Sequence, residues 1–187
     1  YFIQSKISKD EISEEDAFNS SLRLRRPEII LAFMARVKGS KIVSDVLDRH
    51  PESISYDYGI FSVYVDALRQ NGRNEQVRDL FQKYKEQYKN TLHYWTSAYR
   101  FYFSINDSES KDKVVAFLKK NKSDGLLTTG AEEFLELARI FVNEGLYELA
   151  LEPVQLLNNA NIENGETVEI KSLALALTKQ HQNEAFE

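Results

Sequence analysis

Cysteine is absent from the 187 residues. Its absence excludes a disulfide framework, thiolate zinc sites and cysteine nucleophiles, and favours a reducing or non-secretory, intracellular location. Glycine (seven) and proline (three) are scarce, which argues against a turn-dense all-β fold and for a helical one. No apolar run approaches the ~20 residues that a membrane helix needs, so no membrane insertion is expected. Histidine numbers three, and His50, His93 and His181 fall in separate predicted elements without a partner at metal-ligand spacing. H-E-x-x-H, a Gly-rich phosphate loop and G-x-S-x-G are all missing. Neither metal nor cofactor nor catalysis is expected. The chain opens on Tyr1 rather than Met, as a fragment of a longer protein would.

What is present is an ordinary globular composition, 42% hydrophobic and 28% charged, rich in Tyr (ten) and Phe (eleven). The net charge of −5 is unevenly spread. Residues 17–122 hold 19 Lys and Arg against 12 Asp and Glu; residues 123–187 hold 3 against 12. Such asymmetry bears on partners rather than on fold.

Residues 1–12 are weakly patterned and read as a frayed lead-in. Ser13 with Asp16 forms a capping box opening a helix over 17–26, which Pro27 ends. From there the apolar spacing predicts helices in pairs: hairpins over 28–50, 55–88, 91–120 and 131–158, then a terminal helix over 166–179. Ser123-Asp124-Gly125 reads as a turn, Thr129 with Glu132 as a capping box, and Asn164-Gly165 as a turn. Pro153 falls inside a predicted helix and should kink it.

Gly39, Gly72 and Gly145 turn three of the hairpins, 33 and 73 residues apart; the second interval is taken as two units plus an insertion at 106–110. Seven positions before each glycine stand Ala32, Val65 and Ala138, and eight before stand Leu31, Tyr64 and Leu137. Eight after stand Leu47, Leu80 and Pro153. A period of ~34 residues is the size of a helix-turn-helix repeat. A hairpin cannot bury its own apolar faces, so copies must pack side by side.

Residues 64–81 resemble a pentatricopeptide repeat. The run Ala67-Leu68-Arg69-Gln70-Asn71-Gly72-Arg73, followed by Val77 and Leu80-Phe81, matches that family's inter-helix turn and second helix, with Phe61 at its first-helix aromatic position. The Gly145 unit is similar to a tetratricopeptide repeat, with Phe134, Leu137, Ala138, Phe141, Tyr147 and Ala150 in its signature positions. The resemblance implies an all-α fold, a right-handed α-α superhelix forming one helical-repeat domain. It also implies a fungal-type mitochondrial pentatricopeptide factor in RNA metabolism or translation, whose ligand is single-stranded RNA. In that family a polar residue near the start of each first helix reads a base edge, a role that would fall to Ser62, with Trp95 and Leu135 as poorly fitting equivalents. The tetratricopeptide alternative implies a scaffold for a protein partner.

Two further groups have both functional and ordinary explanations. Arg23, Arg25, Arg26, Arg36, Lys38 and Lys41 form either a phosphate-tracking patch or a solvated helix surface. Tyr94 and Tyr102, interleaved with Lys89 and Arg100 and lying near Trp95 and Tyr99, form either a stacking platform for bases or an aromatic core stripe. The nine glutamates between Glu132 and Glu169, with Arg139 as their one basic counterpart in that span, either dock a basic partner or maintain solubility.

Overall fold

The structure, a computed structural model, describes residues 2–23, 27–55, 57–121, 131–159 and 165–184, with side chains throughout except at 166 and 180–184. The described residues form helices and their connections, without a strand: an all-α fold. The helices are α1 (Phe2–Ser8), α2 (Glu14–Arg23), α3 (Pro27–Lys38), α4 (Ser40–Arg49), a 3₁₀ helix (Pro51–Ser55), α5 (Tyr58–Gln70), α6 (Asn74–Tyr88), α7 (Leu92–Ser104), α8 (Ser108–Asn121), α9 (Ala131–Asn143), α10 (Tyr147–Asn159) and α11 (Gly165–Glu184). Leu24-Arg25-Arg26, Ser123-Asp124-Gly125, Thr129 and Asn164 lie outside the described residues.

Three hairpin turns share one geometry. Gly72 (φ 70°), Asn106 (φ 56°) and Gly145 (φ 70°) each adopt the left-handed conformation. At the first, Gly72 N–H donates to Arg69 O (3.0 Å) and Arg73 N–H to Leu68 O (2.9 Å). Asn106 and Asp107 repeat the pair onto Phe103 O and Tyr102 O, and Gly145 and Leu146 onto Val142 O and Phe141 O. This paired closure satisfies carbonyls that a helix end otherwise leaves open. Asn substitutes for Gly because its short polar side chain tolerates the left-handed region. Residues 106–110 are therefore no insertion. Asn106 is the turn, Asp107 caps α8 by accepting from Ser110 N–H (3.1 Å), and the helix begins at Ser108.

Gly39 differs. With φ 97° and ψ 154° it is itself the N-cap of α4, a position filled by Arg73, Asp107 and Leu146 before the later second helices. Counted from these caps, the hairpins repeat at intervals of 34, 34 and 39 residues. The burial pattern follows this register. Nine positions before the cap stand Ile30, Tyr64, Ala98 and Leu137; eight before stand Leu31, Val65, Tyr99 and Ala138; eight after stand Leu47, Phe81, Val115 and Val154. All twelve are buried. Gly39 thus stands one position later in its hairpin than Gly72 and Gly145 do in theirs, so Ala32 falls off the buried column and is exposed.

The chain divides into two compact units, residues 1–86 and 87–187. In the first, α3 lies against α1, α2, α4 and α5, and α5 lies against both α3 and α4. Gly59 permits that approach, since a Cβ there would sit 2.7 Å from Glu28 Cβ. Phe61 meets Phe81 and Tyr84 edge-on at 5.6 and 5.9 Å, joining α5 to α6. The expected frayed lead-in is instead a helix: Ile7 of α1 is 2% exposed, and burying such a side chain contributes ~2 kcal/mol. Ser13 caps α2 as its sequence suggests, accepting from Asp16 N–H at 3.1 Å. Asn71 at the second hairpin turn ties back to α4, accepting from Ser40 Oγ and donating to Ser44 Oγ, both at 3.1 Å.

In the second unit, α7 packs on α8 and α9, α9 on α10, and α11 on both α9 and α10. Trp95 stacks on Phe117 with ring centroids 3.7 Å apart and donates its indole N–H to Lys89 O. Pro153 lies inside α10 with its ring buried.

Candidate binding surfaces

The expected basic patch is divided by its own contacts. Lys38 reaches across to Asp10 (2.6 Å) and Glu14 (2.7 Å), with its side chain 16% exposed. Its hydrogen bonds to Asp10 and then Glu14 raise the ammonium pKa, while the bond to Lys38 lowers that of Glu14. This cation fastens the α1–α2 connection to α3, with its charge already met by two carboxylates. Lys41 pairs with Asp45 one turn along α4 (2.7 Å). Arg36 lies exposed over the Phe33 ring, 5.2 Å from its centroid. Arg23 is exposed at the end of α2, and Arg25 and Arg26 lie outside the described residues.

Similar pairs occur elsewhere in the first unit. Arg49 and His50 both reach Glu15, and Arg73 meets Asp48 at 2.8 Å, where the Tyr64 hydroxyl also donates. Over residues 1–86 there are 14 Lys and Arg and 14 Asp and Glu, so this unit as folded carries no net formal charge.

Ser62 is half-buried on α5. In the cap-based register its counterparts are Glu28, Thr96 and Leu135; Trp95 instead shares the column of Phe61 and Phe134. Thr96 is 1% exposed with its hydroxyl donating to His93 O, and Leu135 is buried. The position assigned to base reading is thus inside the core in the third and fourth hairpins.

Tyr94 is 3% exposed, in edge contact with Trp95, and burial pushes its phenol pKa upward. Its ring offers no open face for a base. Tyr102 is half-buried beside Phe101, ring centroids 5.1 Å apart. Trp95 and Tyr99 belong to the core. The aromatic ring presented most fully on α7 is Phe103, 56% exposed.

Three of the acidic-half glutamates find basic or hydroxyl partners on α7 and α8. Glu144 accepts from the Tyr99 hydroxyl (2.7 Å) and from Lys111 (2.9 Å). Glu136 lies between Arg100 (3.4 Å) and Arg139 (2.9 Å), and buried Glu133 faces His93 (3.4 Å). Part of the acidic charge is thus met across the helices, though residues 87–187 still hold 10 Lys and Arg against 15 Asp and Glu. The Tyr99 phenol is pushed upward in pKa by burial first and the Glu144 carboxylate second.

One cleft was not legible in the sequence. It lies among α1, α2 and α3, has a volume of about 570 Å³, and is walled by Phe2, Ile3, Ile12 and Ile30 with Lys6 and Arg23 among its lining. Its signal was hidden because residues 1–12 lack a clear periodicity. Among the described residues no group of three or more His, Cys, Asp or Glu side chains could hold a metal ion. No helix among them is long and apolar enough to cross a membrane.

Comparison with protein-family models, with curated proteins and with solved structures finds no match to this chain.

Proposed function

We propose that the chain is a non-catalytic helical-repeat binding module, built as a right-handed α-α superhelix and acting on single-stranded RNA as a pentatricopeptide-like factor in mitochondrial RNA metabolism or translation. The observation that carries the reading is the recurrence of one hairpin, with its buried columns in register, at intervals of 34, 34 and 39 residues. Repetition of a unit that packs on its neighbour is how such proteins build extended binding surfaces. Packing of α5 on both helices of the α3–α4 hairpin, and of α11 on both helices of the α9–α10 hairpin, supports the superhelix. The mitochondrial and RNA terms rest on the likeness of residues 64–81 to a pentatricopeptide repeat. Arg23 and Arg36 are the described cations of the expected patch that are exposed and have no carboxylate within 4.0 Å among the described residues, and so are left to meet phosphate.

A second reading, a tetratricopeptide-like scaffold for a protein partner, is favoured by the charge balance of residues 1–86 and by the burial of Tyr94, Thr96 and Leu135. Fluorescence anisotropy with a labelled single-stranded RNA separates the two. RNA binding should weaken steeply as salt rises, and Arg23→Glu with Arg36→Glu should weaken it further. Absence of binding at low salt removes the RNA reading and leaves the scaffold, for which co-purification with one defined protein is the matching observation.

A further inference from the structure

We propose that the cleft among α1, α2 and α3 binds an amphiphilic anion, an apolar chain ending in a single carboxylate. The inference shares Arg23 with the RNA reading but does not rest on that reading or on the scaffold one. At about 570 Å³ the cleft is within the range of small-molecule sites, which combine apolar walls with a few polar groups that orient the ligand. Phe2, Ile3, Ile12 and Ile30 supply the walls.

The charged groups of the lining are both cations. Lys6 and Arg23 contribute, and no carboxylate does. Six other cations of the first unit are paired. Lys38, Lys41, Arg49, Arg69, Arg73 and Arg78 each have an Asp or Glu oxygen within 3.4 Å. Lys6 instead points its ammonium over the Phe2 ring, 4.6 Å from the centroid, and neither it nor Arg23 meets an acidic side chain among the described residues. Two cations kept from carboxylates beside an apolar hollow are complementary to a ligand that brings both chain and charge. A neutral apolar ligand would leave them unused, and among the described residues of the lining a polyanion would find no further cation.

The test titrates the purified chain with dodecanoate below its micelle concentration by isothermal calorimetry, with dodecan-1-ol as the uncharged comparison. Wild type should bind dodecanoate saturably with one site and dodecanol more weakly. Lys6→Glu with Arg23→Glu should weaken dodecanoate by about tenfold or more, since hydrogen bonds to charged groups carry that much, while dodecanol binding holds. Ser20→Trp, which fills the cleft from the α2 side, should abolish both. Circular dichroism checks the fold; should the reversal variant unfold, Lys6→Gln with Arg23→Gln replaces it and the same contrast is expected. No saturable dodecanoate binding, equal losses for the acid and the alcohol in the charge variant, or unchanged binding in Ser20→Trp would each overturn the proposal.

Discussion

Asn106 provides the sharpest test of the repeat register, because it occupies a left-handed position (φ 56°) that the second and fourth hairpins give to glycine. For a residue with a Cβ, the left-handed region costs ~1–2 kcal/mol, less for Asn than for Ala. Asn106→Ala therefore takes on the full penalty. Asn106→Gly removes it but enlarges the unfolded ensemble, worth ~0.4–1 kcal/mol in the opposite direction. The glycine variant should lie within ~0.5 kcal/mol of wild type and the alanine variant ~1 kcal/mol below the glycine variant. Trp95, the single tryptophan, belongs to the same hairpin and stacks on Phe117, so its fluorescence reports that hairpin directly. With urea slopes of ~1–3 kcal/mol/M, the two variants should differ in midpoint by roughly 0.3–1 M at unchanged slope. Equal midpoints for alanine and glycine would refute the left-handed turn, and with it the register that places Asp107 beside Arg73 and Leu146.

Gly59→Ala tests a different constraint: its Cβ would meet Glu28 Cβ at 2.7 Å, so α5 must move from α3 at ~1–3 kcal/mol, measurable by denaturant unfolding. The Lys38–Glu14 pair should show a double-mutant coupling of about 1 kcal/mol near neutral pH. Because the Glu14 pKa is lowered from 4.5, its share is present above that value and lost as pH falls through the depressed one; the Lys38 pKa is raised from 10.5, so its share is present below that value and lost as pH rises through the elevated one. A coupling that persists into strong acid would contradict this assignment. Tyr99→Phe should lower the stability of the second unit by ~1 kcal/mol through loss of the 2.7 Å bond to Glu144; no change in the Trp95-detected transition would show that bond to be idle.

Helix pairs were readable because glycine turns and apolar spacing agree, and the expected hairpins over 28–50, 55–88, 91–120 and 131–158 each contain two helices. Glycine alone does not mark every turn: Asn106 takes the same left-handed conformation, and Gly39 is a cap whereas Gly72 precedes one. The short helix α1 escaped because seven residues hold too few turns to show a period. Surface charge was the least legible property. Lys38 meets carboxylates 28 and 24 positions away, and Glu144 meets Lys111 at a separation of 33, so no local window exposes the neutralisation. Tyr94 and Tyr102 look alike along α7, yet only the first is fully buried.

The amide of Asn71 has a chemical consequence. An asparagine followed by glycine is ordinarily prone to deamidation, in which the glycine nitrogen attacks the side-chain carbonyl carbon, closes a succinimide and expels ammonia. Here that nitrogen already donates to Arg69 O, and the Asn71 amide is gripped from both ends by Ser40 and Ser44. The folded hairpin should thus age slowly at this bond and the unfolded chain quickly, making the mass gain at Asn71 a clock of how long this turn has spent open.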